Sequence, residues 1–174
     1  MTTIIASTNR PESYTLRVAE HYKNGIKNLG ENVEILSLGN LPEKIIHPAM
    51  YENQKIESWL PIQNLITATQ KFIFIIPEYN GSFPGILKVF VDACEFPGSF
   101  KDKKAALVGI STGKYGNIRG VDHFTGICHY MGLDVMSLKL HIPHIHKEFD
   151  ENGNLFKEDT LKFTGQQIER FAGF

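Results

Sequence analysis

An uninterrupted apolar run at residues 72–76 constrains this chain more than any other stretch. Five consecutive Ile and Phe residues are typical of a parallel strand buried on both faces, and Pro77 then ends the hydrogen-bonded ladder. A polar loop containing Tyr79 and Asn80 follows as far as Pro84, and apolar residues then recur at helical spacing. This pattern predicts a strand, a loop and a helix. Loops at the carboxyl ends of central parallel strands line the ligand crevice, so the loop is a candidate site.

Length and charge narrow the class of protein. The chain has 174 residues, which suits one domain spanning 1–174. Its 18 basic and 19 acidic residues leave a net charge of −1, so no nucleic-acid partner is predicted. No apolar stretch reaches the roughly 18 residues of a membrane span, and no basic segment precedes the short apolar run near the start. We therefore expect a cytoplasmic protein without a membrane segment.

Strand-like and helix-like segments alternate along the chain. Besides the central strand, the predicted strands are 2–6, 33–38, 103–110 and 134–140. The predicted helices are 13–29, 56–69 with a new start near Pro61, 86–95, 118–131 and one from Glu158 onward, and residues 39–55 predict a long loop with at most a turn of helix. Right-handed crossovers between parallel strands put helices on both faces. The predicted fold is therefore a doubly wound, five-stranded parallel α/β sheet.

The loop after the first strand combines hydroxyl groups with one guanidinium. Ser7, Arg10, Ser13 and Thr15 lie at the entry to a helix. The unpaired backbone N–H groups of that helix carry partial positive charge, so this is a candidate anion site. Neither a Walker sequence nor a GxGxxG fingerprint is present, so hydroxyls and one arginine would have to hold a phosphate. The alternative is an N-cap box with an exposed arginine.

The loop after the fourth strand, residues 111–117, superficially resembles a phosphate-binding P-loop. The spacing of its glycines is one residue short. Tyr115 also stands where the magnesium-binding Ser or Thr is required. Nucleotide triphosphate hydrolysis is therefore not predicted.

Taken together, the three loops resemble those of the NADPH-dependent FMN reductase family, flavodoxin-like proteins that include quinone, azo-dye and chromate reductases. Residues 77–88 are similar to the family's PEYN-G-S-x-P-G-x-L-K segment at every defining position. Residues 6–13 resemble its G-S-x-R-x-x-S motif less closely, because Ala6 replaces the glycine and one extra residue separates Ser7 from Arg10. The resemblance spans nearly the whole chain.

This resemblance implies a non-covalently bound FMN. A dianionic phosphate favours charge-assisted donors, and the uracil-like edge of the flavin favours backbone N–H and amide partners. By the resemblance, the phosphate-binding residues are Ser7, Arg10, Ser13 and Thr15, the residues along the isoalloxazine ring are Pro77, Glu78, Tyr79, Asn80 and Gly81, and its other edge is closed by Ser111, Thr112 and Gly113. Because the flavin itself exchanges hydride, no catalytic side chain is expected.

The predicted activity is hydride transfer from NADPH or NADH through FMN to a small acceptor, by ping-pong kinetics. Free flavin, a quinone, an azo dye or a metal oxyanion would serve as the acceptor. The resemblance also implies a homodimer or homotetramer with the flavin near the interface. One alternative is a flavodoxin-type electron carrier, although such carriers usually dock through a strongly acidic face. Another is a non-catalytic FMN-binding sensor or interaction module, which the departures in the first motif leave open.

Two clusters near the carboxyl end resemble metal sites without matching one. His141, His144 and His146 are interrupted by a proline, and a strand end would hold only two of them on one side. Residues 150–154 begin like a calcium loop, but Leu161 stands in place of the essential glutamate. A turn explains these residues better, and no metal site is predicted.

Overall fold

The central strand, β3 (Lys71–Pro77), pairs in parallel with β1 (Thr2–Ala6) on one side and with β4 (Lys104–Ile110) on the other. β2 (Val33–Ser37) extends the sheet beyond β1. The computed structural model describes residues 1–51 and 56–174. The strand order is 2-1-3-4-5, a doubly wound order in which the direction of winding reverses between β1 and β3. A ligand crevice is expected where the carboxyl ends of these two strands meet.

Helices cover both faces of this sheet, and the predicted doubly wound α/β class is confirmed. The two apolar cores are separated by the alternation of side chains along β3. Ile73 and Ile75 belong to the core on one face, whereas Phe72, Phe74 and Ile76 belong to the core on the other. The helices of the described part are α1 (Tyr14–Asn28), α2 (Leu60–Ala68), α3 (Gly85–Ala93), α4 (Ile118–Tyr130) and α5 (Glu158–Gly173).

The first core joins α1 and α5 to the sheet, and the second joins α2, α3 and α4. In the second core, the rings of Phe74 and Phe124 meet edge to face with their centroids 4.9 Å apart. No helix in the described part of the chain is both long and apolar enough to cross a bilayer.

The connection between β2 and α2 contains more local structure than the sequence predicts. Single-turn 3-10 helices form at Leu38–Asn40, Glu43–Ile46 and Pro48–Tyr51. Residues 52–55 of the predicted loop lie outside the described residues. A further 3-10 turn at Glu57–Trp59 precedes α2, whose first turn contains a proline, so the predicted new start of this helix is confirmed.

The fifth strand differs from the continuous strand predicted at 134–140. Two short strands, β5 (Asp134–Val135) and β6 (Leu140–Ile142), both pair in parallel with β4. The segment between them leaves the sheet.

The pairing register explains this interruption. Val135 pairs with Ala105, and Leu140 pairs with Val108. The edge segment therefore advances five residues between these two pairs, whereas β4 advances only three. Two additional residues therefore bulge out between β5 and β6, and the carbonyl groups beside the bulge lose their partners in the ladder.

Gln167 of α5 satisfies these carbonyl groups. Its side-chain Nε2 donates hydrogen bonds to the carbonyl oxygens of Leu107 in β4, at 3.3 Å, and of Leu138 in the bulge, at 2.8 Å. Its Oε1 accepts a hydrogen bond from the Tyr22 hydroxyl at 2.6 Å. Burial raises the pKa of Tyr22 well above its ordinary value, so this hydroxyl keeps its proton and remains a donor.

We expect Gln167→Leu to lower the free energy of unfolding by about 1–3 kcal/mol, because it leaves buried polar groups without partners. Gln166→Leu is the matched control, since Gln166 is the preceding residue of α5 and is exposed. Urea unfolding at a fixed FMN concentration measures the free energy of unfolding of both variants. Equal stability of the two variants would contradict the role given to Gln167.

Candidate functional site

The amino end of α1 forms one wall of a cavity at the carboxyl edge of the sheet. Ser13 caps this helix, and its Oγ accepts a hydrogen bond from the N–H of Leu16 at 3.3 Å. The N–H groups of Tyr14 and Thr15, in the first turn, have no acceptor within the helix. With the Arg10 side chain in the same wall, this end of the cavity offers backbone donors, hydroxyl groups and positive charge.

A tight turn after β3 forms the second wall. The backbone groups of Tyr79 and Ser82 exchange two hydrogen bonds, at 2.9 and 3.1 Å. The two residues between them, Asn80 and Gly81, have φ values of 51° and 74°. Positive φ at both central residues defines a type I′ turn, for which Asn-Gly is the favoured sequence. The turn therefore presents Tyr79 to the cavity in a fixed position.

A side-chain hydrogen bond joins these two walls. The Tyr79 hydroxyl and the Thr8 Oγ1 lie 2.7 Å apart, and the same Thr8 oxygen accepts a hydrogen bond from the N–H of Arg10 at 3.2 Å. Thr8 is buried, so its hydroxyl is held in place. The first loop and the second loop are therefore positioned as one unit.

The third wall is the loop between β4 and α4. The Ser111 Oγ accepts a hydrogen bond from the N–H of Gly116 at 3.0 Å, which closes the loop. Asn117, in the left-handed conformation, donates from its side chain to the carbonyl oxygen of Ile76 at 3.0 Å. A Cβ at position 109 would collide with the carbonyl oxygen of Gly116, so Gly109 permits this close approach. The loop is thus tied to both central strands.

The segment after β6 supports the third loop from outside. The backbone N–H groups of His144 and Ile145 donate to carbonyl oxygens of that loop, both at 2.9 Å. The Nδ1 atoms of His141 and His144 each lie 3.2 Å from a further carbonyl oxygen of the loop. Two of the three histidines are therefore bonded to the loop, and no group of three or more His, Cys, Asp or Glu residues in the described part is arranged to hold a metal ion.

The three loops enclose a cavity of about 380 Å³, a size typical of small-molecule sites. Most of the predicted site residues line it. They are Arg10, Ser13, Thr15, Pro77, Glu78, Tyr79, Ser111 and Thr112.

The remaining predicted residues lie behind or beside the cavity wall. Ser7 is fully buried, and its Oγ donates to the carbonyl oxygen of Ile5 at 3.2 Å. Asn80 and Gly81 form the tip of the second turn. The carbonyl oxygen of Gly113 accepts hydrogen bonds from the Ser111 Oγ and from the backbone N–H of His144. These residues shape the loops that carry the wall.

Sequence reasoning missed several residues of the wall, among them Tyr14, Arg17 and Ile145. Arg17 lies one helical turn beyond the Ser13 cap, so the helical period contained a signal for it. Ile145 reaches the cavity only because its segment packs on the third loop, and no local pattern indicates this contact.

The donors of the cavity fit FMN. A phosphate dianion matches the hydroxyls, the arginine and the free N–H groups on the α1 side. The second and third loops provide a wall for a flat ring.

Burial raises the pKa of the Cys128 thiol to about 12, so this cysteine stays protonated at neutral pH and does not act as a nucleophile.

Comparisons with known proteins identify relatives that are named as quinone reductases. A 2-hydroxy-1,4-benzoquinone reductase from Burkholderia sp is 25% identical over 175 residues, which cover 98% of this chain and 93% of the relative. A quinone reductase from Pseudomonas putida is 23% identical over 178 residues, which cover 98% of this chain and 92% of the relative.

Solved structures confirm the flavodoxin-like fold. FerB, a flavoenzyme NAD(P)H:(acceptor) oxidoreductase from Paracoccus denitrificans, superposes with a TM-score of 0.74 at 24% identity and covers 99% of this chain and 94% of its own. A flavodoxin from the domain Archaea superposes with a TM-score of 0.66 at 16% identity, over 99% of both chains. Residues 2–147 match the family described as NADPH-dependent FMN reductase, and this match spans most of the chain. The chain therefore belongs to the NADPH-dependent FMN reductase family.

Proposed function

We propose that this protein is an FMN-dependent oxidoreductase that takes hydride from NADPH or NADH and passes it to a small acceptor at the same site. The convergence of the three loops on one cavity carries this proposal, because a helix end with donors suited to a phosphate and a wall suited to a flat ring meet there. Donor and acceptor then occupy the crevice in turn, which gives ping-pong kinetics. Quinones are the first acceptors to test, since two full-length relatives are named as quinone reductases.

The residues of the chain act by binding and orienting. FMN, when bound, supplies the hydride chemistry. Arg10, Ser13 and Thr15, which line the α1 side of the cavity, would hold its phosphate with charge-assisted and hydroxyl donors. Pro77, Glu78 and Tyr79, which line the cavity, would lie along the ring, and Ser111 and Thr112 would close its other edge.

The predicted residues outside the wall support the site indirectly. The N–H of Ser7 donates to the carbonyl oxygen of Ile75 at 3.1 Å and so fixes the start of the first loop beside β3. Asn80 and Gly81 allow the turn that carries Tyr79. Gly113 joins the third loop to the segment after β6.

NAD(P)H is a cytoplasmic reductant, and we propose that the protein acts in the cytoplasm.

We further propose that the protein forms a homodimer or homotetramer. Phe96, which is 72% exposed, stacks on Tyr130, which is 84% exposed, with ring centroids 6.4 Å apart. Two exposed aromatic rings in contact indicate a surface suited to association between copies.

Light scattering at micromolar concentration should give the mass of two or four chains. Tyr130→Glu should shift the population toward monomer, because it places a charge on the exposed aromatic pair. A monomeric mass for the unaltered protein would contradict the proposed assembly.

Arg10→Ala should weaken FMN binding by roughly ten- to a hundredfold, because a hydrogen bond to a charged group contributes about 1.5–3 kcal/mol. Flavin fluorescence titration measures the affinity. Arg170→Ala is the matched control, because Arg170 is an exposed arginine in the last turn of α5 and does not line the cavity. Unchanged affinity of Arg10→Ala would assign the phosphate to other residues.

Anaerobic stopped-flow absorbance tests the reaction itself. Excess NADPH or NADH should bleach the bound FMN, and a quinone should then restore its colour. Initial rates with both substrates varied should give parallel double-reciprocal lines. A flavodoxin-type carrier would be reduced only through another protein, so no bleaching by either nicotinamide would remove the support for reductase activity.

A further inference from the structure

Arg17 is a second arginine in the wall of the cavity, and its environment differs from that of Arg10. The guanidinium carbon lies 5.5 Å from the centroid of the Tyr14 ring and 5.7 Å from that of the Phe149 ring. The two rings stack on each other with centroids 5.6 Å apart and an angle of 20°. Both distances are within the range of cation–π contacts, so the rings restrict where this guanidinium lies.

The segment that follows β6 delivers Phe149 to this place. Phe149 forms an antiparallel bridge with Leu155, and the Asp150 Oδ1 between them accepts hydrogen bonds from the N–H groups of Asn152 and Asn154, at 2.9 and 2.8 Å. The turn at residues 150–154 is therefore an Asx-stabilised hairpin. This hairpin fixes the position of the Phe149 ring, which contacts Arg17.

The described neighbours of the Arg17 guanidinium are aromatic rings. Within the described ranges 1–51 and 56–174, no carboxylate lies within ion-pair distance of it and no acceptor takes a hydrogen bond from its side chain. A guanidinium carries five N–H donors in a planar fork that matches a phosphate group. Arg17 is thus an oriented cation whose donors are available to a ligand.

The position of Arg17 separates it from the flavin phosphate. The first turn of α1 and Arg10 already supply donors for one phosphate, whereas Arg17 lies a full helical turn beyond the Ser13 cap. Phe149 is not part of the cavity wall, so its contact holds the guanidinium at the rim. A second phosphate that reaches the rim from a ligand in the crevice would meet Arg17.

We propose that Arg17 binds the 2′-phosphate of NADPH and makes the protein prefer NADPH to NADH. This inference rests on the proposed function, in which a nicotinamide dinucleotide enters the crevice. The two donors differ only by that phosphate monoester, and it lies on the adenosine half, remote from the ring that reacts. Arg17 is a specificity-determining residue, and it binds without taking part in hydride transfer.

Calorimetry on the FMN-loaded protein tests the contact without turnover. The probes are 2′,5′-ADP, which carries the 2′-phosphate, and 5′-AMP, which lacks it. The unaltered protein should bind 2′,5′-ADP more tightly, and Arg17→Ala should weaken this binding by roughly tenfold or more while changing that of 5′-AMP by less than about twofold. Arg17→Lys should recover part of the loss, since it keeps the charge but not the planar fork.

Steady-state kinetics give the second readout. Arg17→Ala should lower kcat/KM for NADPH by a similar factor and leave kcat/KM for NADH nearly unchanged, and Arg170→Ala should alter neither. Equal effects on the two donors, or equal binding of the two probes by the unaltered protein, would overturn the proposal. Loss of FMN affinity in Arg17→Ala would also overturn it, because Arg17 would then serve the flavin phosphate. If neither nicotinamide reduces the FMN but 2′,5′-ADP binding still depends on Arg17, the reductase assignment fails and the phosphate contact stands.

Discussion

The structure depends on parallel pairing of β3 along both of its edges. β1 and β4 both run in the same direction as β3, so the loops that follow these three strands leave the sheet at the same edge. Burial of β3 on both faces makes this arrangement stable, because Phe72 and Phe74 enter one core and Ile73 and Ile75 enter the other. The loops that follow must then share a crevice, and side-chain bonds such as that between Thr8 and Tyr79 determine its shape.

Local patterns are sufficient to predict β1 to β4 and α1 to α5, because each apolar period is contained within a few neighbouring residues. The interruption of the fifth strand cannot be predicted in this way. Its interruption depends on the register against β4 and on a hydrogen bond from Gln167, which lies far along the chain. No pattern within residues 134–142 contains that information. The single-turn helices between β2 and α2 are likewise too short to have a period.

The site was predictable to the extent that it is carried by loops adjacent to strands. Arg10, Tyr79 and Ser111 line the cavity, because each lies in a loop that follows a strand of the sheet. Ser7 lies in the predicted loop, but its hydroxyl turns to the backbone of β1, and sequence spacing does not give that orientation. Arg17 depends on Phe149 for its position, and this contact joins segments more than a hundred residues apart.

The interruption of the fifth strand also bears on the site. The segment after β6 lies against the third loop, where His144 and Ile145 hold its carbonyl groups. Gln167 stabilises the bulge that sets where β6 begins, and β6 determines where that segment starts. A buried amide on α5 thus contributes to the position of the Ser111 loop without contacting the cavity. Because the bulge and the loop share β4, a change that straightens this edge of the sheet would move the wall of the cavity as well.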